Sequence, residues 1–318
     1  MVSMKDIARE LNLSRCTVSN ILNNKLDQYS YRKETIELVR NKAEEMGYVV
    51  NNLAQSLKTG TAHMIALVIP DISSTFYIEI IRKIERLAYD SNYGLIVCVT
   101  EEQVDKERRI LEMLKSRRVD GVIIACVSYT DTEIDESAYK VVAFDRIVKN
   151  AQFPTVTVDD RKVCYDLTNR ILEKGYVSPL FVGTSEQDYT VQCRLEGFQK
   201  ALKDHGLVFK QDQVFYDWYN EMDAYEWISR IRRDGRIPFD SIVSTTNEIL
   251  FGVMKAMGDE FRDIGYGGFY SFNGSSFMGE KIINVIPPPD MAELSFRMLL
   301  NRIQGKTVEN KVLEARIM

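Results

Sequence analysis

From residue 64 onward, short apolar runs alternate with longer amphipathic stretches. The runs at 65–69, 95–99, 122–126, 141–144 and 155–158 are too short for helices and apolar enough for strands buried on both faces. Between them, 76–92 and 104–117 repeat apolar residues at the spacing of a helix. Such alternation predicts an α/β fold with a parallel sheet covered by helices. The pattern then begins again, with strands expected at 179–183, 214–216, 241–245, 264–268 and 282–286, and helices at 162–174, 191–205, 222–233 and 249–257. Two β/α halves imply two lobes with a cleft between them. Pro287-Pro288-Pro289 makes a stiff crossing, and 291–303 reads as a helix returning to the first lobe. Lobe 1 is therefore expected over about 61–158 and 289–305, and lobe 2 over about 159–288 and 306–318.

Residues 1–48 follow a different, wholly helical rhythm. Ser3 can cap a helix with Asp6 as its capping-box partner, and Ile7, Ala8 and Leu11 share one face. Asn12 tolerates the left-handed conformation of a tight turn. Ser14 caps a second helix whose inner face is Val18, Ile21 and Leu22, with Arg15, Cys16, Ser19 and Asn20 facing out. A third helix over 33–46 buries Ile36, Val39, Ala43 and Met46 and stops at Gly47. Two short helices joined so tightly form a helix-turn-helix, whose second member can lie in a DNA major groove. Residues 49–60 read as a linker, of which 51–60 can form two helical turns, too short for stability in isolation.

Charge sharpens this division. Residues 1–60 carry nine basic and seven acidic groups, a net of +2, so the remainder holds −7 of the overall −5. A basic head on an acidic body suits a DNA-binding module whose body is repelled by phosphate. At 318 residues and 45% hydrophobic content, the chain has length for two or three domains with sizeable cores. No apolar stretch approaches the ~20 residues of a membrane span, and the N-terminus has no apolar signal region, which points to the cytoplasm. The five cysteines are scattered without a CxxC pair and there are two histidines, so neither a metal site nor a disulfide framework is expected, and no cofactor is called for. Gly265-Tyr266-Gly267-Gly268 lacks the order of a phosphate-binding loop. Acidic pairs such as Glu101-Glu102 and Asp159-Asp160 read as solvated loop charges, and nothing demands an enzyme.

Three runs in order, KDIARELNLSRCTVSNILNN, GYVVNNLAQSLKTG and HMIALVIPDISSTFY, resemble the opening of a lactose-repressor (LacI/GalR) family transcriptional regulator. A looser similarity extends to about residue 305. The resemblance implies a three-helix head over 1–48, a hinge helix over 49–60 and a two-lobed, periplasmic-binding-protein-like body over 61–318 that binds effector and dimerises. It places base reading on Arg15, Cys16 and Asn20 and phosphate contacts on Thr17, Ser19 and Asn23. The hinge, with Asn51, Ala54 and Leu57, would order only on DNA, where two copies pair in the minor groove and Leu57 wedges between bases. The family's Tyr-x-Pro-Asn is here Tyr48-Val49-Val50-Asn51, and the lost proline leaves the hinge entry less restricted.

Ligands of open α/β sheets bind beyond the carboxyl ends of the strands. Those ends carry Phe76, Tyr77 and Asp145 in the first lobe, and Trp218, Asn247 and Tyr270 in the second. Arg194, in the form R-x-x-G-[FW], matches the family's effector-binding arginine. Two departures stand out: the usual Asn-Asp is Thr246-Asn247, and the usual Gly-Phe-Asp is Gly268-Phe269-Tyr270. Loss of two carboxylates removes acceptors for sugar hydroxyls. Arg194, without nearby acids, favours an anionic ligand such as a sugar phosphate over a plain sugar. One recognition helix buries too little surface to be specific, so a homodimer on a pseudo-palindromic double-stranded operator is expected, with repression the family's usual outcome. A periplasmic-type solute-binding protein, or an enzyme on the same lobes, are the alternatives.

Overall fold

The computed structural model describes residues 2–22, 26, 29–48, 61–130, 134–149, 151–186, 188–216, 221–231, 237–246, 248–270 and 282–318. The chain divides into two compact units, Met1–Ala62 and His63–Met318.

The first unit holds α1 (Met4–Glu10), α2 (Arg15–Leu22) and α3 (Lys33–Glu45). Ser3 and Asp6 form a reciprocal capping box at the start of α1. Asn12 turns the chain at φ +51°, and the backbone N–H of Leu13 donates to Ala8 at 2.9 Å. The Ser14 hydroxyl then accepts from the Thr17 N–H at 3.0 Å, capping α2. Ile7 and Ala8, Val18 and Ile21, and Val39 and Ala43 bring two buried side chains from each helix into one small core.

Among the described residues, the second unit contains two six-stranded sheets. Lobe 1 takes β1 (Met64–Ile69), α4 (Thr75–Asp90), β2 (Gly94–Val99), α5 (Val104–Arg117), β3 (Gly121–Ile124), β4 (Lys140–Phe144) and β5 (Thr155–Val158). Lobe 2 takes α6 (Asp160–Glu173), β6 (Pro179–Val182), α7 (Tyr189–Asp204), β7 (Val214–Phe215), α8 (Glu221–Ile231), β8 (Ser241–Ser244), α9 (Glu248–Met257), β9 (Gly265–Phe269) and β10 (Ile282–Ile286). The chain returns to lobe 1 through α10 (Met291–Ile303), whose Met291, Phe296 and Leu299 enter the core around β1 and α4. It ends in β11 (Lys311–Leu313) and β12 (Arg316–Ile317). The first sheet runs β11-β5-β4-β3-β1-β2 and the second β12-β10-β9-β8-β6-β7; all pairs are parallel except β10 with β12.

The tail departs from expectation. The sequence pattern places residues 306–318 in lobe 2 as a block, yet β11 extends the first sheet beside β5 while β12 joins the second. Asn310 anchors the turn by accepting from the Thr155 N–H at 3.0 Å. The segment is largely exposed and has no continuous apolar run, so its pattern carried no strand signal. The glycines of 265–268 lie inside β9, where a Cβ on Gly265 would stand 2.4 Å from the Tyr176 ring and one on Gly267 2.6 Å from Ile171. They allow close packing by α6 and the turn after it. No helix among the described residues is long and apolar enough to cross a membrane.

Candidate functional site

On the head, Arg15 and Cys16 are exposed on α2, with Thr17 and Ser19 half-buried beside them. Asn20 is not outward as its periodicity suggested: it is buried, and its amide donates to the Tyr31 hydroxyl at 2.9 Å. A base contact by Asn20 requires that bond to be exchanged. Tyr31 lies eleven residues further on, outside α2, so helical periodicity could not reveal it. Asn23, Asn51, Ala54 and Leu57 lie outside the described residues.

In the body, a cavity of about 490 Å³ opens between the lobes at the strand carboxyl ends. Five of the residues singled out by the sequence meet there: Phe76, Tyr77, Asp145, Arg194 and Tyr270. Trp218 and Asn247 lie outside the described residues. Phe76 and Tyr77 sit in the first turn of α4, directed inward by its apolar face. Asp145 follows β4 and Tyr270 follows β9, both in the left-handed region at φ +64°. For a tyrosine this conformation is uncommon and costs about 1–3 kcal/mol, the kind of local strain that collects at functional sites. The Asp145 carboxylate accepts from the Tyr77 hydroxyl at 2.6 Å and from the Tyr270 hydroxyl at 3.3 Å. The Tyr270 ring lies on Phe76, with centroids 4.3 Å apart and planes 16° from parallel. A second aromatic pair spans the lobes, Tyr129 on Tyr189, at 3.9 Å and 8°.

Burial, with the Asp145 charge beside them, pushes the Tyr77 and Tyr270 hydroxyls well above the usual phenol range, so both remain protonated donors. Burial also raises the Asp145 carboxyl, while Arg146 opposes the shift. Arg146 is held by Glu102 in a bidentate pair at 2.6 and 2.7 Å, with Asp188 of lobe 2 at 3.9 Å.

Arg194 is not the unpaired cation the sequence suggested. Its Nε and Nη2 lie 2.8 and 2.7 Å from Asp160 Oδ1, and Nη1 donates to the Thr245 carbonyl at 2.8 Å. Its guanidinium also stacks 3.7 Å above the Phe269 ring. Asp160, read from sequence as a solvated loop charge, is buried at the start of α6. Burial raises its carboxyl to about 6, with Arg194 opposing the shift. The premise for an anionic ligand is therefore overturned, because a buried carboxylate already neutralises the arginine. The described wall of the cavity carries six carboxylates (Asp71, Glu101, Glu102, Asp145, Asp188, Glu248) and two arginines. The Thr245 and Thr246 hydroxyls, also in the wall, are buried without a hydrogen-bond partner. Such groups are costly unless something supplies a partner. Stacking faces, ready hydroxyls and paired charges suit the binding of a small polar molecule.

Residues 62–273 match the family described as periplasmic binding proteins and sugar binding domain of LacI family. The chain is 32% identical to the HTH-type transcriptional regulator RegA of Clostridium saccharobutylicum, over 98% of this chain and 96% of the relative. It is 27% identical to catabolite control protein A of Priestia megaterium, again over 98% of this chain and 96% of the relative. Among solved structures, a LacI-family transcriptional regulator from Silicibacter pomeroyi has the same fold, with a TM-score of 0.80 at 22% identity over 100% of this chain and 98% of that one. With a family match across most of its two-lobed body and a 32% identical relative covering 98% of its length, the chain belongs to the LacI family of transcriptional regulators.

Proposed function

We propose that this regulator acts as a homodimeric repressor on a pseudo-palindromic operator, and that a small molecule bound between its lobes controls the grip of its two heads on DNA. Arg15 and Cys16, exposed on α2, are the base readers, with Thr17 and Ser19 setting register on phosphate. The observation that carries the effector reading is convergence. Phe76, Tyr77 and Asp145 come from one lobe and Arg194 and Tyr270 from the other, and all line one cavity. A molecule that prefers one relative angle of the lobes shifts the spacing of the heads, and a differential affinity of ~1–3 kcal/mol suffices for useful control. An uncharged sugar suits this wall better than a sugar phosphate, since Asp160 already occupies Arg194.

Selection of operators from random DNA, followed by a thermal-shift screen of sugars against the full chain, tests the proposal. The expected result is a two-fold symmetric site bound by two copies, with operator affinity changed by whichever sugar raises Tm. A ligand that stabilises the body yet leaves operator affinity unchanged would refute the control mechanism.

A further inference from the structure

We propose that the Tyr270 side chain is a built-in occupant of the cleft, held where an effector ring would lie, and that the effector is a ring-bearing, hydrogen-bond-donating molecule without negative charge that displaces it. The inference rests on the reading of this cleft as the effector site and adds what fills it when no effector is present.

Three observations carry it. First, Tyr270 makes the contacts expected of a ligand. Its ring stacks on Phe76 from the opposite lobe, with centroids 4.3 Å apart and planes 16° from parallel, and its hydroxyl donates to Asp145 of that lobe at 3.3 Å. Second, Tyr270 belongs to both hydrophobic cores. It packs against the cluster of β1, α4 and α10 in lobe 1 and against that of α6, α7 and β9 in lobe 2. Among the described residues, the other one shared by both cores is Ala315, which lies in the covalent crossing between β11 and β12. Tyr270 therefore joins the lobes by contact where Ala315 joins them by chain. Third, its backbone is held at φ +64°, a conformation that a tyrosine adopts only when its surroundings compel it.

The occupied geometry specifies the displacing molecule. With its centroid 4.3 Å from Tyr270, Phe76 has no room for a third ring between them, so the phenol must leave before another ring stacks. The incoming ring must donate to Asp145 in place of the phenol. The buried Thr245 hydroxyl, 2% exposed and unpartnered, offers a further contact. Anions are disfavoured: both arginines of the wall are paired, and Asp71 and Glu248 form no ion pair with a described lysine or arginine.

Chemical rescue tests this without knowledge of the natural effector. In Tyr270→Gly the occupant is removed and the backbone strain relieved, since glycine is at ease at this φ. The full-length variant should take up phenol, the missing side-chain fragment. Its Tm should rise by about 3–6 °C at phenol tenfold above the dissociation constant. Toluene, which lacks the donor, and benzoate, which adds a charge, should give less than a third of that rise. Wild type and Tyr270→Phe, whose sites stay filled, should show no shift. Small-angle scattering should show the variant more open than wild type and closed again by phenol. A wild-type shift equal to the variant's, absence of phenol uptake by the variant, or a preference for benzoate would each overturn the proposal. Operator binding measured in parallel separates the two readings. Rescue that leaves operator affinity unmoved keeps the occupant and removes the control role of the cleft.

Discussion

Gly197 directly precedes Phe198 in the Arg194-to-Phe198 motif, and the structure turns it into a quantitative test. A Cβ at this position would lie 2.2 Å from the Arg161 carbonyl oxygen and 2.9 Å from the Tyr165 nitrogen. Both are backbone atoms of α6, so no rotamer change relieves the clash. A carbon–oxygen contact relaxes near ~3.3 Å, which requires α6 and α7 to separate by about 1 Å. Overpacking of this kind costs about 1–3 kcal/mol, and the backbone contact puts Gly197→Ala at the upper end. Alanine's better helix propensity returns about 1 kcal/mol, leaving a net loss of about 2 kcal/mol. For a body of this size that is a fall in Tm of roughly 4–8 °C by calorimetry. The same separation stretches the 2.7–2.8 Å contacts from Arg194 on α7 to Asp160 on α6. Effector response should therefore weaken together with stability. A Tm within about 1 °C of wild type would refute the packing argument.

The head, the hinge and the buried acid each give a further test. Arg15→Ala should change the preferred half-site in a binding selection, at about 1–3 kcal/mol per lost base contact, whereas Thr17→Ala should weaken all sites alike. Leu57→Ala should leave the melting of the body unaltered and reduce operator bending measured by gel mobility; an unchanged bend angle excludes the wedge. Asp160 should titrate near pH 6 in carboxyl-detected NMR, because burial raises it above its ordinary 3.8. With the folded value the higher one, the associated stability is present below about pH 4 and is lost as pH rises through about 6, and Asp160→Asn should flatten that part of the profile. Arg194→Ala should destabilise lobe 2 by about 3–5 kcal/mol at a pH where Asp160 is ionised in both proteins; because the lost cation had held the Asp160 carboxyl down, its pKa rises further in the variant, and the loss should shrink as pH falls from that higher value to about 6 and stay level below it.

The α/β alternation was legible because β1, β3, β4 and β6 are largely apolar runs buried almost throughout, and local pattern alone specifies them. The caps of α1 and α2 were legible for a related reason: Ser3 with Asp6, and Ser14 with Thr17, act over three residues. What escaped the sequence acts over long separations. Asp160 and Arg194 are 34 residues apart, and Arg146 and Glu102 are 44 apart. Asp160 and Glu102 look like ordinary solvated charges, and Arg194 like an unpaired one, until the fold pairs them. Asn20 failed for the same reason on a smaller scale, because Tyr31 lies beyond the helix whose period was being read. The five cleft residues that do meet were placed by strand ends and family resemblance, but neither source reveals which charges neutralise one another. That omission produced the anionic preference.

The two sheets carry a correspondence that gives the exchange of aspartate for Tyr270 its physical meaning. β4 and β9 hold the same third place in their respective strand orders. Each ends in phenylalanine and is followed by a residue at φ +64°, Asp145 in one lobe and Tyr270 in the other. Each of those residues donates its N–H to the strand next in order, Asp145 to Val156 at 2.9 Å and Tyr270 to Val285 at 2.8 Å. The lobes thus aim equivalent positions at one another across the cleft. Two carboxylates at these places would repel, and closure would need a ligand whose hydroxyl hydrogens lie between them. A phenol facing a carboxylate supplies donor and acceptor from the protein itself, and its ring adds the stack on Phe76. One substitution in a paired position therefore changes closure from something a ligand must bring about into something a ligand must compete with.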